Sequence, residues 1–407
     1  MRIVIVTHYF PPEIGAPQAR LSDLARMWAE AGHDVHVLTG MPNHPTGVVP
    51  DEYRGRFRCS ERVDGYRVTR CWLYATPNEG IVKKTLGHLS FMVSSVVLGF
   101  RGIGRPDVIV VSSPTFFSIG SAWLLARLKR SRLVVEIRDL WPAIFVELGV
   151  LTNRQAIAVL ERLELAAYRA SDAIVVVSEG FREHIAARGI SSAKIHTIRN
   201  GVDIDRFLVA DQPDQQWRAK LGAGDDLLVL YIGAHGISQG LSTVVEAAAL
   251  LTDRPIHLAL VGEGADKPRV LGRIRELAVQ NVTNHPGVPR DEVQAVLSAA
   301  DICLVPLRDV PLFTTFIPSK IFELLAAGKV IVASVAGESA EILREAGAVV
   351  VAPEDPAALA GALRNLANDP ARRREMSIQG RSYVEKNFDR RVLAQRYEEV
   401  LDGVVRR

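Results

Sequence analysis

The chain of 407 residues is predicted to be an α/β protein built from two doubly wound domains. Three observations point there. Buried-strand runs alternate with helical patterns along most of the chain; the alternation lapses at about 203–226 and then restarts with the same grammar; and the length exceeds what one ordinary core fills. Hydrophobic residues make up 48% of the sequence, enough for two cores. A net charge of +3 lacks the strongly basic face that generic nucleic-acid binding needs, so no nucleic-acid partner is expected and any attraction to anions is local. Cys59, Cys71 and Cys303 stand far apart, which suggests neither a zinc site nor a disulfide framework and fits a reducing cytoplasm. Met1 runs directly into Ile3–Val6 without the length or cleavage site of a signal peptide, and secretion is not expected.

The first half opens with a strand at 2–7, a loop rich in Pro and Gly at 8–17, a helix at 18–31 punctuated by Gly32-His33-Asp34, and a strand at 35–39. Two parallel strands joined by a crossover helix imply a doubly wound sheet. A strand pair at 57–59 and 66–71, an apolar helix at 86–100, a strand at 108–112, a helix at 118–128 and a strand at 133–137 follow. A long amphipathic helix covers 152–170, and a strand at 173–177 ends in Ser178-Glu179-Gly180, which can cap the next helix. The last strand of this half is 195–198, with a turn at Asn200-Gly201. Residues 203–226 collect Asp, Gln, Pro and Gly around a short helix, and the boundary is drawn there, giving domains 1–205 and 206–388.

The second half predicts strands at 227–232, 256–261, 282–285 and 302–305 and helices at 241–251, 269–278 and 291–299. A stretch at 316–334 then reads as loop, short helix and strand. Pro318 and Ser319 start the helix, 321–327 are good helix formers, Gly328 suits a left-handed cap, and Val330–Ala333 is a buried strand. A helix at 339–345, a strand at 349–351 and helices at 356–367 and 371–385 complete the domain. The final segment, 389–405, is amphipathic and helical without a strand partner.

Doubly wound sheets bind ligands beyond the carboxyl ends of their strands, and two such domains facing one another would form a cleft for two substrates. The loops after strands are therefore the places to look. At the start of the short helix, Ser319 and Lys320 would meet a phosphate, and Glu323 one turn on could accept two sugar hydroxyls; the plainer alternative is a helix capped by Ser319 with Lys320 and Glu323 in solvent. The loop 233–240 offers backbone N–H groups at Gly233 and donors at His235 and Gln239, although a lone loop histidine is more often only solvated. Gly262-Glu263-Gly264 is a weaker sign of the same kind. Gly15 would let backbone approach a ligand, or serves a plain turn; the loop is not G-x-G-x-x-G, which disfavours a nicotinamide dinucleotide. In Arg138-Asp139-Leu140-Trp141-Pro142, Asp139 could orient an acceptor hydroxyl or act as a base and Arg138 could grip phosphate, against the alternative of an ion pair capping the next segment. Asp203-Ile204-Asp205 has D-x-D spacing but lies at the boundary rather than in a strand-end loop, so no metal is expected there. The run 86–100, flanked by Lys83, Lys84 and Arg101, is too short to span a bilayer. It reads either as a core helix or as one lying on a membrane with its bases over anionic headgroups.

Together these residues resemble the family 4 glycosyltransferases of the two-domain GT-B fold over essentially the whole chain, nearest the bacterial surface-polysaccharide branch that includes N-acetyl-L-fucosamine transferases. The resemblance rests on His8-Tyr-Phe-Pro-Pro12 with Gly15, Arg138-Asp-Leu-Trp-Pro142, Asn200-Gly-Val-Asp203 with Phe207, Tyr231-Ile-Gly233 with Gln239-Gly-Leu241, and Pro318-Ser-Lys-Ile-Phe-Glu323. It implies transfer of a sugar from a nucleotide sugar, UDP-linked and of the N-acetylated deoxyhexose type, with retention and without a metal or other cofactor. It implies a polyprenyl-diphosphate-linked saccharide as acceptor at the inner membrane face, in O-antigen, capsule or exopolysaccharide synthesis, with peripheral membrane contact through 83–101 and a final helix, 389–407, packed back on the first domain. The donor side is then Gly233, His235, Gln239, Gly262, Glu263, Val288, Thr315, Ser319, Lys320 and Glu323; the acceptor side is Gly15, Arg138 and Asp139; and the catalytic candidates are Arg138, Asp139 and Lys320. The sequence departs from the family pattern in three places. Thr315 stands where the first of two glutamates is usual, the customary Arg and Lys after the first strand of the second domain are replaced near Ala234 and Gln239, and a frequent first-domain His is represented by Arg138 and Asp139. A nucleotide-sugar epimerase of the same fold and a catalytically silent nucleotide-sugar-binding subunit remain alternatives.

Overall fold

The computed structural model describes residues 1–13, 15–44, 46–77, 80–113, 116–210 and 212–407. The chain divides into two compact units, Met1–Arg199 with Arg391–Arg407, and Asn200–Arg390.

The first unit runs β1 (Arg2–Val6), α1 (Ala16–Glu30), β2 (Asp34–Gly40), β3 (Arg58–Val63), β4 (Tyr66–Cys71), α2 (Gly80–Gly99), β5 (Val108–Ser112), α3 (Phe116–Lys129), β6 (Arg132–Ile137), α4 (Ala143–Glu147), α5 (Arg154–Ala170), β7 (Ala173–Val176), α6 (Glu179–Ala187) and β8 (Ile195–Thr197). Its eight strands are ordered β3-β4-β2-β1-β5-β6-β7-β8, and each pairing is parallel except the β3–β4 hairpin. Ile3–Val6 and Val108–Val111 are buried along their whole length, because a parallel sheet covered on both faces excludes water from every side chain. The hairpin turns at Asp64 and Gly65, which both take positive φ (45° and 86°), as a two-residue primed turn demands. Ser178 accepts the Phe181 N–H and caps α6, while Asn153 caps α5, which begins at Arg154 rather than at 152. The short α4 was not anticipated: five residues between Pro142 and Leu148 carry too little periodicity to announce a helix.

In α2, Phe91, Ser94 and Ser95 face the interior, whereas Leu86, Val93 and Val97 lie on one outward stripe and are 48%, 58% and 68% exposed. The helix is thus only half a core helix. Among the described residues, no helix is long and apolar enough to cross a membrane.

The second unit contains α7 (Gln215–Lys220), β9 (Leu227–Ile232), α8 (Leu241–Ala249), β10 (Ile256–Val261), α9 (Lys267–Glu276), β11 (Val282–His285), α10 (Val293–Ala299), β12 (Ile302–Pro306), α11 (Lys320–Ala326), β13 (Val330–Ser334), α12 (Glu338–Glu345), β14 (Val349–Val351), α13 (Pro356–Ala367) and α14 (Pro370–Asn387). Six parallel strands are ordered β11-β10-β9-β12-β13-β14. Gly328 ends α11 with φ +64°, the left-handed geometry that glycine adopts without a Cβ penalty.

The last helix, α15 (Arg390–Val405), supplies the first unit's core. Leu393, Tyr397 and Leu401 are buried with Trp28. Tyr397 meets Trp28 edge-on at 5.2 Å, and Trp28 Nε1 donates to the Ala394 carbonyl at 3.2 Å. Beneath the same sheet Arg20 and Glu136, 3% and 0% exposed, pair at 3.0 Å. Ser112 donates to the other Glu136 oxygen at 2.8 Å, and Arg20 also donates to the Arg199 and Ile198 carbonyls at 3.1 and 3.2 Å. Every ionic group there has partners, which is what makes burial of the charges tolerable.

Candidate functional site

In the second unit, β9, β10 and β11 end side by side and their following loops converge. Gly233 N–H donates to Val261 O at 3.0 Å, His235 N–H to Glu263 O at 2.8 Å and Gly262 N–H to His285 O at 3.2 Å. The glycines have specific tasks here. A Cβ on Gly233 would lie 2.7 Å from Lys320 Nζ, one on Gly262 would collide with the Gly233 carbonyl, and one on Gly264 would strike the His235 backbone. Gly233 and Gly262 also take φ +140° and +152°, so both backbone and space exclude a side chain. The glycine pattern that suggested a phosphate cradle therefore also serves loop-to-loop packing.

Lys320, at the first position of α11, does not extend into solvent. Its ammonium donates to Ile232 O at 3.1 Å and sits 3.9 Å from the Tyr231 ring centroid, while Tyr231 donates its hydroxyl proton to Ala234 O at 2.6 Å. Burial lowers the Lys320 pKa to about 7, with Glu323 pulling the other way. Lys320 is thus tied to the end of β9, and Glu323 shares its electrostatic environment. Ser319 makes no side-chain capping bond, so the plain capped-helix alternative is not what the structure contains.

His235 is fully buried, and neither ring nitrogen has a hydrogen-bond partner among the described residues. Burial, then Lys267, lower its pKa to about 4, so the imidazole is neutral, able to donate at one nitrogen and accept at the other. The solvated loop histidine is replaced by one held under the strand ends. Gln239 closes a 3₁₀ turn, Ile237–Gln239, with its Oε1 buried against Gly236. Glu263 pairs with Lys267 at 2.8 Å, and Val288 follows Gly287, whose Cα faces Gly262 and Glu263 across the loops. Thr315 ends the 3₁₀ turn Pro311–Thr315 and donates its hydroxyl to Leu312 O at 2.7 Å. That turn is fastened by α12, where Ser339 donates to Phe316 O and Gly337 packs on Thr314.

Sequence reasoning missed Lys267, whose ammonium donates to Gly262 O at 2.9 Å, Glu263 Oε1 at 2.8 Å and His285 O at 3.2 Å. It also missed Arg308, packed against Gly240 and paired with Glu354 at 3.4 Å. The available signal was a basic residue shortly after each of two strand ends, at β10 and β12.

In the first unit Arg138 and Asp139 follow β6 directly and are partly buried. Burial pushes the Asp139 carboxyl up to about 6 against the opposing effect of Arg138. Gly15 precedes α1 in extended geometry, φ 166°, which any residue can adopt; a Cβ there would press on the Gln18 side chain. Its neighbour Ile14 lies outside the described residues. Asp203 is buried and pairs with Arg206 at 3.4 Å.

Two parallel-sheet α/β units of this kind define the GT-B fold class. Residues 15–201 match the glycosyl transferase 4-like domain and residues 213–383 the glycosyl transferases group 1 domain. The chain carries both domains of a family 4 glycosyltransferase and belongs to that group of enzymes. It is 27% identical over 400 residues to the putative colanic acid biosynthesis glycosyl transferase WcaI of Escherichia coli, covering 96% of this chain and 97% of the relative. It is 26% identical over 411 residues to glycogen synthase of Mycobacterium tuberculosis, covering 97% and 92%. Among solved structures, sucrose-phosphate synthase of Thermosynechococcus elongatus superposes with TM-score 0.77 at 22% identity, covering 99% of this chain and 98% of that one. Anabaena HepE in complex with UDP and glucose superposes at 0.74 with 16% identity, covering 99% of each. WaaG, a lipopolysaccharide glycosyltransferase, superposes at 0.69 with 16% identity, covering 98% and 100%. The chain is therefore a glycosyltransferase.

Proposed function

We propose that the protein transfers a sugar from a UDP-sugar, of the N-acetylated deoxyhexose type, to a polyprenyl-diphosphate-linked saccharide with retention of configuration. The observation that carries this reading is the convergence of Gly233, His235, Lys320 and Glu323 around the ends of β9 and β10. A nucleoside diphosphate needs donors for its phosphates and an acceptor pair for its ribose. Lys320 and the start of α11 supply the first, and Glu323 supplies the second. The UDP bound in the HepE structure supports the choice of nucleotide, and the surface-polysaccharide role in the name of WcaI supports the acceptor class. In the reaction the bond from the anomeric carbon to the diphosphate breaks, its electron pair leaves with UDP, and a bond to the acceptor oxygen forms. Asp139 orients the acceptor hydroxyl and receives its proton, with Arg138 beside it.

The outward stripe of α2 supports peripheral attachment at the inner membrane face as part of this reading. Leu86, Val93 and Val97 are exposed, Lys83 and Lys84 lie in the first turn of the helix, and Arg101 follows its end. On α3, Trp123, Leu124 and Leu128 are exposed beside Arg127, enlarging an apolar face rimmed by bases.

The test is incubation with a panel of UDP-sugars, with and without membrane lipid extract, following products by mass. Acceptor-dependent release of UDP with a glycosylated lipid supports the transferase. Free isomerised sugar nucleotide makes it an epimerase, and binding without turnover makes it a silent subunit.

A further inference from the structure

Three adjacent strands at the β3 edge of the first unit's sheet, β3, β4 and β2, carry a cavity toward the amino ends of β2 and β4, the reverse end of the sheet from the loops that follow the parallel strands. It measures about 340 Å³, within the roughly 300–1,000 Å³ range of small-ligand pockets. Alternation along the strands puts Arg58, Ser60 and Arg62 of β3 beside Arg67 and Thr69 of β4 and His36 of β2, and these six line it. Ser60 stands opposite Thr69, and Arg67 lies between Arg62 and His36. The Thr69 hydroxyl is 3.0 Å from that of Ser60 and 2.9 Å from His36 Nε2. His36 is 3% exposed, yet its Nδ1 has no hydrogen-bond partner among the described residues. Burial, then Arg67, lower its pKa to about 4, with Arg58 adding to this and Asp34 opposing it.

The charges around this cavity do not cancel. Arg67 pairs with Asp34 at 3.0 Å, but Asp34 also serves Arg2 at 2.9 Å. The nearby Glu61 carboxylate is taken by Arg70 at 2.7 Å. Among the described residues no carboxylate pairs with Arg58 or Arg62. Arg62 and Arg67 are direct cross-strand partners, a like-charge pairing that is destabilising and that Asp34 relieves only on the Arg67 side. A Cβ on Gly102, in the loop after α2, would collide with the Arg58 guanidinium; glycine there leaves the arginine head its place beside the cavity. An anion with several oxygens would satisfy both unpaired guanidiniums and separate Arg62 from Arg67. Every side chain that lines the cavity is polar, so the remainder of the ligand is hydrophilic, and the linked Ser60, Thr69 and His36 suit its hydroxyls.

We infer that this cavity binds a small soluble phosphomonoester, with Arg58, Arg62 and Arg67 on the phosphate oxygens and Ser60, Thr69 and His36 on the hydroxyls of the remainder. The site is separate from the transfer chemistry, because none of these residues belongs to the donor or acceptor machinery. Inorganic phosphate and glycerol 3-phosphate are the probes, titrated into the full chain with and without saturating UDP. Binding is read by calorimetry and by the histidine ring NMR signals, the His36 signal being identified by its absence in His36→Gln. Both probes should bind equally well with UDP present, move the His36 signal and raise its titration midpoint, since a nearby anion favours the charged imidazole; glycerol should do none of these. Arg58→Ala/Arg62→Ala should lose about 10-fold or more of both affinities, the scale of one charge-assisted hydrogen bond. Both side chains are exposed, so this variant should melt with the wild type, and Arg58→Lys/Arg62→Lys should recover part of the binding. A His36 signal that neither probe moves, unchanged affinities in the alanine variant, loss of binding when UDP is added, or binding only to vesicles containing phosphatidic acid would each overturn the assignment. Failure of the transferase reading would leave these titrations as they are.

Discussion

The Lys320 ammonium lies 3.1 Å from the Ile232 carbonyl oxygen, locking the start of α11 to the end of β9. Only glycine at position 233 leaves room for that contact, since a Cβ would come within 2.7 Å of the nitrogen. The lysine thereby positions the loop on which His235 and Gln239 stand, in addition to any charge it offers a leaving diphosphate.

Replacing Lys320 with Met should slow transfer more than it weakens nucleoside binding, read as a fall in kcat that exceeds the rise in KM. It should also change stability against pH. With a folded pKa of about 7 and an unfolded value near 10.4, the unfolded chain binds more protons between those limits. Stability contributed by this group therefore rises from pH 7 to about 10 and is lost as pH falls back through 7. Urea melts across that range should show the slope in the wild type and a shallower one in Lys320→Met.

Glu323→Ala removes the carboxylate proposed to accept two ribose hydroxyls. Hydrogen bonds to a charged group are worth about 1.5–3 kcal/mol each, so UDP affinity should fall at least 10-fold by calorimetry. Equal UDP affinity in both proteins would move the ribose site elsewhere.

Asp139, with its carboxyl pushed up to about 6, sets an acid limb on the rate if it must be ionised to receive a proton. kcat/KM should fall below pH 6, and Asp139→Asn should lose that limb along with about 100-fold or more of activity. The folded pKa is raised, so the group's contribution to stability is complete below about pH 4 and lost as pH rises through 6. In Asp139→Asn this pH-dependent loss should vanish from denaturation curves.

Arg20→Ala strands Glu136 in the core of the first unit, where the pair is 3% and 0% exposed. Breaking a buried pair from one side costs about 3–5 kcal/mol. Arg20→Met combined with Glu136→Leu should be far less damaging, and chemical denaturation of the three proteins distinguishes pairing from packing.

Much of the fold was legible in the sequence because parallel strands buried on both faces must be continuous apolar runs. β5, β9 and β10 fall where the apolar runs at 108–112, 227–232 and 256–261 place them, and the half-buried edge strands β11 and β14 also lie at 282–285 and 349–351. Helix ends were read less well where no side chain caps the start, as at α9, read as 269–278 and observed at Lys267–Glu276. The short α4 offered no period to read. The apolar run of α2 could not be resolved from composition, since its outward stripe of Leu86, Val93 and Val97 is apolar while two serines, Ser94 and Ser95, face inward.

The strand-end loops at 233–240 and 262–264, together with Lys320 and Glu323, could be named from sequence because phosphate and ribose recognition needs those residue types after strands. Only the tertiary structure decided what each does locally: that Lys320 turns back on Ile232, that His235 is buried and neutral, that Lys267 fastens three strand-end groups, and that His36 and Thr69 meet although they lie far apart in the chain. Those outcomes depend on which strands become neighbours. Pairing β1 with β2 and β9 with β10 brings distant loops to one sheet edge, and no local pattern of charge or hydrophobicity records which side chains will then share a cavity.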